Sequence, residues 1–534
     1  MKSFYYNGRV YLGKGSFSSA FAVENGVFSE VGNDGIVGAA REGDSIHDLK
    51  GAFVCAGFND SHLHLLGYGS TLSQAPLNEH TGSLEELLDC LSSFLDSRAV
   101  RPEGWLVGRG WNQDLFKGEK RMPSREDLDK VSREIPIVIT RVCGHMCVVN
   151  SKALEILGVK KAFPVEGGRI GVEGDKPDGR FYDNAVNIVK SALPPPSREE
   201  LKGMILRACR NLNSFGITSA QSDDYCVFRN VSPAVIDECY RELEKEGRLT
   251  LRIYEQCNFE TIGELKKFLA AGNRTGKGTE LFKTGPLKIL GDGSLGSATA
   301  HLSKPYRNSS ERGFSLYPPE KLCEMIACAH AAGMQIAVHA IGDECLEEVL
   351  RAYEEALKAH PRHDHRHGIV HCQVTRREQL ERIARLGLHV YAQSVFLDYD
   401  NHIVFKLLDP ELLKTSYCWK TLMLLGASVS NGSDCPVELP DCMKGIELAV
   451  TRTSLDGTGP YQPAEAFTLT EALDSFTSAS AYASFEETRK GLIKEGFLAD
   501  FTILERDPFR TPVFDLYKIK VLKTYLGGRL VYEA

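Results

Sequence analysis

Two histidines separated by one residue follow an apolar segment near the beginning of the chain. The sequence from Gly57 to His64 reads Gly-Phe-Asn-Asp-Ser-His-Leu-His, so His62 and His64 point to the same face if this segment is a β-strand. Imidazole nitrogen is the commonest metal ligand in proteins. An isolated pair of this kind is more often two surface or hydrogen-bonded histidines than a metal site. The hypothesis of a metal site therefore depends on further ligands elsewhere in the chain.

Three such ligands end or follow later apolar segments. His339 ends Ile-Ala-Val-His, His371 ends Gly-Ile-Val-His, and Asp434 follows Val-Ser-Asn-Gly-Ser. The interval between the two histidines matches about one βα unit, and the interval from His371 to Asp434 leaves room for two. Because the carboxyl ends of parallel barrel strands meet at one mouth of the barrel, the pattern predicts that these residues join His62 and His64 in one metal site.

Lys288 is a further candidate for this site. It lies between Leu287 and Ile289, which face the other way on a strand, so the lysine is predicted to point into the barrel. An unpaired ammonium group is costly there. A desolvated lysine loses its proton readily, and the neutral amine can add carbon dioxide to form a carbamate that bridges two metals. The alternative is an ammonium group paired with Asp292 or Asp434, and the sequence leaves both open.

The elements that must position these residues alternate between strands and helices, which is typical of parallel βα units. Eight strands with intervening helices indicate an α/β fold of the (β/α)₈ TIM-barrel type. The predicted strands are Phe53 to Phe58, Ile217 to Gln221, Thr250 to Tyr254, Leu287 to Leu290, Gln335 to His339, Gly368 to His371, His389 to Gln393 and Ser428 to Ser430. Apolar residues at three- and four-residue spacing predict helices at Arg198 to Phe215, Ala234 to Gly247, Pro319 to Ala332, Glu344 to His360 and Thr375 to Gly387.

The chain is predicted to fold as three domains. Residues 1–52 and 490–534 contain short strands and glycine turns, which predict a composite β-sandwich domain formed by both ends. Residues 53–66 and 196–489 form the predicted barrel. The first two barrel strands are separated by far more residues than the roughly thirty that one connection needs. Residues 67–195 are therefore predicted to be an inserted lid domain after the first strand.

The composition excludes several classes of protein. A hydrophobic content of 43% and a charged content of 25% are those of a soluble globular chain. The net charge of −8 comes without a basic run, so nothing favours nucleic acid. No signal peptide and no segment of membrane-spanning length is expected, and fifteen cysteines in apolar surroundings indicate a reducing compartment. We therefore expect a cytoplasmic protein with a small-molecule substrate and no membrane partner, and a homodimer is the first expectation for its assembly.

As a set, these motifs resemble the amidohydrolase superfamily. They comprise Gly57 to His64, Lys288 followed by Asp-Gly-Ser-Leu-Gly-Ser at 292–297, His-Ala-Ile-Gly-Asp at 339–343, His371, and Gly-Ser-Asp at 432–434. More narrowly, the chain is similar to amidohydrolase family 3, a branch of predicted metal-dependent hydrolases that includes N-substituted formamide deformylases. The resemblance extends over almost the whole chain, including Gly-Phe-Leu-Ala-Asp at 496–500.

The resemblance implies a hydrolase that cleaves a nonpeptide carbon–nitrogen bond, such as an amide or formamide, with a metal-activated water. Asp434 would be the catalytic base toward that water and then the acid toward the leaving nitrogen. The ligands suit zinc first, with iron, manganese or nickel as alternatives, at one or two ions per chain. In the binuclear form, His62, His64 and Asp434 would hold one ion, His339 and His371 the second, and carbamylated Lys288 would bridge them.

The resemblance also implies three substrate-binding residues. Trp111 and His145 lie in segments that look like the lid of the family, and Asp292 belongs to the motif that follows Lys288. We expect Trp111 to contact an apolar portion of the substrate. The alternatives are ordinary packing for Trp111 and a structural hydrogen bond for His145. Ala298 stands where relatives commonly carry an arginine, so the substrate contact of that arginine is not carried over.

Two other functions are compatible with such a barrel. A mononuclear deaminase of a ring amine uses the same His-x-His pair, but such enzymes typically carry a glutamate three residues after the fifth-strand histidine, where this chain has Gly342. From another class, the chain could be an inactive barrel that acts as a binding protein, although it retains all six ligand-type residues. The remaining histidines before the sixth strand lie in a polar loop and are expected to be solvated; they are His360, His363, His365 and His367.

Overall fold

Eight parallel strands, paired in the order in which they occur along the chain, form a nearly closed barrel. The first and eighth strands meet at their carboxyl ends, where the N–H of Asp434 donates to the carbonyl of His62 at 2.8 Å and the N–H of His64 donates to that of Cys435 at 2.7 Å. The predicted α/β barrel is thereby confirmed. Its strands are Phe58–Leu63, Ile217–Ser222, Arg252–Asn258, Phe282–Leu290, Ile336–Ala340, Gly368–His371, His389–Ala392 and Ser428–Asn431.

The computed structural model describes residues 1–80, 82–97, 104–141, 146–165, 168–183, 185–228 and 230–534, apart from the side chains of Asp114 and Asp183. The chain divides into two units, one made of Met1–Leu65 and Ile205–Ala534 and the other of Leu66–Met204. Within the described ranges, no helix is both long enough and apolar enough to span a membrane. Fourteen cysteines are described, and all of them are free thiols.

The prediction that the first barrel strand runs from Phe53 to Phe58 was wrong. Residues Phe53–Ala56 belong to a sheet formed by the ends of the chain, and the barrel strand begins only at Phe58. Gly57 separates the two, since a β-carbon at this position would lie 2.3 Å from the side chain of Thr218. The apolar run is continuous in sequence, but the close approach at Gly57 lets the chain pass from one sheet to the next.

Helices on the outside of the barrel bury one face each. The helix Asp343–Ala359, for example, buries Leu346, Val349, Leu350 and Tyr353, the spacing of one helical face. All five predicted helices are present within a few residues of their predicted ends. The helices of this unit and its borders are Arg198–Ser214, Pro233–Lys245, Ile262–Ala270, Pro319–Ala331, Asp343–Ala359, Arg377–Arg385, Leu397–Asp400, Val404–Leu407, Pro410–Leu413, Trp419–Leu424, Cys442–Thr451, Leu469–Ser475 and Ser478–Ala483.

Two further sheets share an apolar core: one is formed by the amino-terminal end alone, and the other by both ends of the chain. Aromatic rings dominate this core: Phe501 stacks on Tyr525 with ring centroids 4.3 Å apart, and Tyr5 stacks on Phe21 at 4.8 Å. One sheet has the strand order Val27–Gly32, Ala20–Glu24, Ser3–Tyr6, Ser45–Asp48. The other has the order Arg529–Glu533, Val521–Leu526, Phe501–Leu504, Phe53–Ala56, Arg9–Gly13, Ser16–Ser18.

The unit Leu66–Met204 contains the stretch predicted to be inserted and has its own sheet and its own apolar cores. Its strand order is Gly168–Glu173, Lys176–Asp183, Met146–Val149, Ile137–Arg141, Leu106–Trp111, Ala75–Pro76. The helices of this unit and its border are Leu65–Thr71, Leu84–Asp96, Arg125–Asp129, Ser151–Leu157 and Val186–Ala192. The role of this unit as a lid stays a prediction.

The histidine-rich loop before the sixth strand is only half solvated, which corrects the prediction for His365 and His367. These two side chains are buried, whereas His360 and His363 are exposed. The Nδ1 of His367 accepts the N–H of Ile336 at 3.1 Å, so its Nε2 carries the hydrogen and donates to His330 Nδ1 at 2.8 Å. Each imidazole in this network is therefore neutral, and a second proton on His367 would break a hydrogen bond to the main chain.

We expect the free energy of unfolding to fall as the pH drops below about 6.5, the usual histidine pKa in an unfolded chain. Burial lowers the pKa of His330, His365 and His367 in the folded protein. The unfolded chain therefore binds more protons in this range, and stability is lost as the pH falls. Each histidine that stays neutral contributes up to about 1.4 kcal/mol per pH unit. Urea unfolding at several pH values between neutral and mildly acidic measures this slope.

The control for this prediction is His367→Asn. The amide oxygen of asparagine can replace Nδ1 as the acceptor for the N–H of Ile336, but asparagine does not titrate. The variant should lose stability less steeply with falling pH than the wild type. Equal slopes in the two proteins would show that this network does not cause the acid sensitivity.

Candidate metal centre

The six predicted ligand residues come from five strands and gather at the carboxyl end of the barrel. His62 lies on the first strand and His64 directly after it, His339 lies on the fifth, and His371 ends the sixth. The ring centroids of His62 and His64 are 5.2 Å apart, those of His62 and His371 are 5.8 Å apart, and those of His339 and His371 are 4.5 Å apart. Asp434 follows the eighth strand, and Lys288 lies within the fourth.

Asp434 connects the two histidines of the first strand. Its Oδ1 lies 3.2 Å from Nε2 of His62 and 3.1 Å from Nε2 of His64. One ligand atom from each of these three residues lies within 4.8 Å of the other two. Two imidazole nitrogens and a carboxylate oxygen form a common donor set for a divalent transition metal, so this part of the predicted site fits a metal ion.

The charges of this triad favour a cation. Burial raises the pKa of Asp434, but the contacts with His62 and His64 outweigh it and hold that pKa well below its usual value. Burial lowers the pKa of His64, but the contact with Asp434 outweighs it and raises the pKa to about 9. Burial and the nearby Lys288 lower the pKa of His62 to about 4. The carboxylate is therefore ionised, and a divalent cation bound here would replace the proton of His64.

Two glutamine side chains fix the orientation of His62 and His371. Nδ1 of His62 lies 2.7 Å from Oε1 of Gln256, and Nδ1 of His371 lies 2.7 Å from Oε1 of Gln393. The amide groups donate to the carbonyls of Ser61 and Tyr391 at 3.1 and 2.9 Å, which defines the amide orientation. Because an amide oxygen only accepts, Nδ1 of each histidine carries the hydrogen and Nε2 keeps its lone pair for a metal.

Main-chain carbonyls orient the other two histidines. Nδ1 of His64 donates to the carbonyl of Asp223 at 3.0 Å, so Nε2 is the nitrogen that faces Asp434. Nε2 of His339 lies 3.0 Å from the carbonyl of Gly293, so this ring presents Nδ1 instead. Burial lowers the pKa of His371 well below its usual value, and the neighbouring His339 lowers it further. Each of the four imidazoles therefore has one ring nitrogen held by a hydrogen bond and the other available to a metal ion.

Lys288 is fully buried, and its charge partner differs from both partners considered from the sequence. Among the described residues, its Nζ pairs with Oδ2 of Asp223 at 3.5 Å, and not with Asp292 or Asp434. Asp223 directly follows the second strand, Ile217–Ser222. The ion pair explains how a lysine can be buried here.

Asp60 and Gly432 hold the loop that carries Asp434. The N–H of Ser433 donates to both carboxylate oxygens of Asp60 at 3.1 Å, and its hydroxyl donates to Oδ2 at 2.6 Å. A β-carbon on Gly432 would lie 2.6 Å from Oδ1 of Asp60 and 2.6 Å from the main-chain nitrogen of His62. Asp434 itself has a left-handed φ of 57°, a conformation that aspartate and asparagine tolerate better than most residues.

The structure gives the predicted substrate-binding residues other surroundings. The carboxylate of Asp292 accepts the N–H groups of His301, Ile341 and Gly342 at 2.8 to 3.0 Å, and its Oδ1 lies 3.2 Å from Nε2 of His339. Asp292 therefore positions a ligand histidine and two loops, and its role as a substrate contact stays a prediction.

The two remaining substrate-binding predictions fall in the unit Leu66–Met204. Trp111 has no exposed surface and belongs to an apolar core with Leu77, Leu106 and Ile139, so its packing alternative is the one this structure supports. His145 lies outside the described residues, and its role stays a prediction.

Four residues that support the ligands were not identified from the sequence. Gln256, Gln393 and Asp223 follow or lie on strands, but glutamine and aspartate are too common at such positions to indicate a site by themselves. Asp60 lies two residues before His62. Of these four residues, it was the only one with a sequence signal, namely its position within the first motif.

Comparisons with known proteins agree with this site. The family model described as "Amidohydrolase family" matches residues 45–532. The Bacillus subtilis (strain 168) protein named "Putative amidohydrolase YtcJ" is 32% identical over 543 residues, with all of both chains covered. The N-substituted formamide deformylase of Arthrobacter pascens is 26% identical, with 99% of this chain and 97% of that protein covered.

The fold is also similar to that of a solved structure. An uncharacterized metal-dependent hydrolase from Pyrococcus furiosus superposes with a TM-score of 0.79 and 28% sequence identity, covering 96% of this chain and 100% of the other. The chain therefore belongs to the amidohydrolase family and is a hydrolase that acts on carbon–nitrogen bonds.

Proposed function

We propose that this enzyme hydrolyses the amide or formamide bond of a small N-substituted molecule at a binuclear metal centre. The observation that carries the proposal is the clustering of the ligands. Ligand atoms of His62, His64 and Asp434 lie within 4.8 Å of one another, the ring of His371 lies 5.8 Å from that of His62, and the ring of His339 lies 4.5 Å from that of His371. His62, His64 and Asp434 would hold one ion, His339 and His371 the other, and a carbamate on Lys288 would bridge them.

Divalent ions, zinc first, would supply a Lewis acid and an activated water at neutral pH. The residues of the chain supply the proton transfers. Asp434 is ionised and buried, so its carboxylate can take a proton from the attacking water as the carbon–oxygen bond forms. It can then deliver this proton to the leaving nitrogen as the carbon–nitrogen bond breaks. The products are a carboxylic acid, or formic acid, and an amine.

Phe396 is a better candidate than Trp111 for the contact with an apolar portion of the substrate. Phe396, in the short 3₁₀ helix Ser394–Phe396 after the seventh strand, is half-buried and stacks with His371 at a centroid distance of 5.8 Å and an interplanar angle of 18°. Its remaining surface is an apolar wall beside a candidate ligand. We therefore assign the apolar contact to Phe396.

The deaminase alternative is less compatible with the fifth strand. A β-carbon at Gly342 would lie 2.0 Å from the carbonyl oxygen of His301, so no glutamate can stand three residues after His339 without a rearrangement of the loop. The same close approach leaves amide hydrolysis, which needs no glutamate there, as the favoured chemistry. The cytoplasmic location and the homodimer stay predictions.

The test is a substrate screen with the zinc-, manganese- and cobalt-loaded protein. N-formyl and N-acyl derivatives of benzylamine and of linear alkylamines are assayed for free amine, and aminopurines and aminopyrimidines are assayed for ammonia. We expect amine release from the first group, with a preference for apolar substituents. Ammonia release from ring amines without amine release would contradict the proposal. A protein without bound metal and without turnover would support the binding-protein alternative.

A further inference from the structure

Asp223 contacts two parts of the candidate centre at once. Its main-chain carbonyl accepts the Nδ1 hydrogen of His64 at 3.0 Å, and its carboxylate Oδ2 lies 3.5 Å from Nζ of Lys288. Its own N–H donates to the carbonyl of Leu63 at 2.9 Å, which ties the end of the second strand to the end of the first.

The carboxylate of Asp223 is held in one orientation. It is 3% exposed, and Nδ2 of Asn258, on the third strand, donates to Oδ2 at 3.2 Å. Residue 258 is also the strand neighbour of Lys288 in the register of the third and fourth strands. The asparagine therefore directs Oδ2 toward the lysine, and the lysine has no second partner among the described residues.

The second carboxylate oxygen of Asp223 makes neither of these contacts. Oδ1 is buried and has no hydrogen-bond partner within the described part of the chain. Burying a carboxylate oxygen without a donor is destabilising, so this oxygen is available to a further donor at the site. A donor from the reaction site, such as water or a substrate N–H, would satisfy it.

We propose that Asp223 is a positioning residue of the centre, whose carboxylate holds Nζ of Lys288 in the place where the lysine can bridge two metal ions. The inference rests on the proposed binuclear function. A carbamate nitrogen keeps one N–H, and Oδ2 of Asp223 is placed to accept it, as it accepts an N–H of the unmodified lysine in this structure. The role of the main-chain carbonyl toward His64 is separate, and it survives any substitution of the side chain.

The experiment measures zinc binding to the full-length protein in metal-buffered solutions, and it uses a double-mutant cycle. The variants are Asp223→Ala, Lys288→Met and the double variant. We expect Asp223→Ala to weaken the second zinc ion by about 10- to 100-fold, the range found when residues that support metal ligands are removed. In the Lys288→Met background, Asp223→Ala should leave the affinity of the one remaining ion unchanged within about twofold.

Two further variants separate positioning from a general structural role. Asp223→Asn keeps an oxygen that can accept an N–H, so it should bind the second ion more tightly than Asp223→Ala. Glu255→Gln is the matched control, because Glu255 is a fully buried carboxylate on the third strand that accepts the N–H of Asp224 at 3.0 Å. It should bind both ions as the wild type does. If Asp223→Ala does not fold, Asp223→Leu removes the acceptor and keeps the volume.

The outcomes distinguish this inference from the proposed function. If Lys288→Met still binds two ions, the bridged centre itself is wrong. If Lys288→Met loses one ion but Asp223→Ala keeps both at wild-type affinity, only the role of Asp223 is overturned. A loss of affinity for the remaining ion when Asp223→Ala is added to Lys288→Met would show that the substitution distorts His64, and it would also overturn the inference. The absorption spectrum of the cobalt-loaded proteins gives an independent record of the ligand geometry.

Discussion

Lys288→Met is expected to lower the zinc content from about two ions per chain to about one and to reduce kcat/KM by about 10³-fold, the effect of losing one Lewis acid worth several kcal/mol. Lys288 has no exposed surface, so methionine can fill the same volume without carrying a carbamate. The remaining ion should stay with His62, His64 and Asp434, whose contacts do not involve the lysine.

The measurement is elemental analysis of the wild type and the variant after reconstitution with zinc and bicarbonate, followed by kinetics on a substrate from the screen. Wild-type protein labelled with ¹³C-bicarbonate should show one carbamate carbon signal that Lys288→Met lacks. Two ions in both proteins would mean that Lys288 does not bridge. One ion in both proteins would indicate a mononuclear hydrolase, in which the lysine serves only as the ion-pair partner of Asp223.

Asp434→Asn is expected to reduce kcat/KM by about 10²- to 10⁴-fold, the contribution of one well-placed acid–base group. The amide cannot accept a proton from water or carry one to the leaving nitrogen, although its oxygen can still contact the histidines. Asparagine is also the suitable replacement for the main chain, because Asp434 has a φ of 57°, which asparagine adopts with little strain. The loss should therefore reflect chemistry and not a displaced loop.

Kinetics over a range of pH and elemental analysis of Asp434→Asn test this assignment. The pKa of Asp434 lies well below its usual value, so the wild-type carboxylate is ionised throughout the neutral range and should cause no acid limb there. A variant that keeps its metal and its activity within about tenfold of the wild type would exclude Asp434 as the proton-transfer residue, since even a modest acid–base contribution exceeds that factor.

Three of the ligands were predictable from the sequence because they stand at or just after the end of an apolar strand pattern. His339 and His371 end buried strands, and Asp434 follows one, as the spacing of βα units indicated. The first strand was misplaced because residues from Phe53 to Phe58 form one apolar run, and only the close packing at Gly57 against Thr218 divides it. Such a packing contact between residues far apart in sequence leaves no local pattern.

The residues that orient the ligands could not be predicted in the same way. Gln256 lies 194 positions from His62, and Asp223 lies 65 positions from Lys288. Their contacts depend on which strands are neighbours and on which side chains face inward at the same level of the barrel. The buried histidines show the same limit, since His365 and His367 lie in a polar sequence and are covered by elements far along the chain.

The position of the triad at the junction of the first and eighth strands has a consequence for the connectivity of the whole chain. His64 and Asp434 are 370 positions apart in sequence, and an ion held between them is a reversible cross-link that closes a loop of that length. Closing a long loop restricts the unfolded chain more than closing a short one. A bound metal would thus join the first and eighth strands, so that the ion needed for chemistry would also stabilise the closure of the barrel.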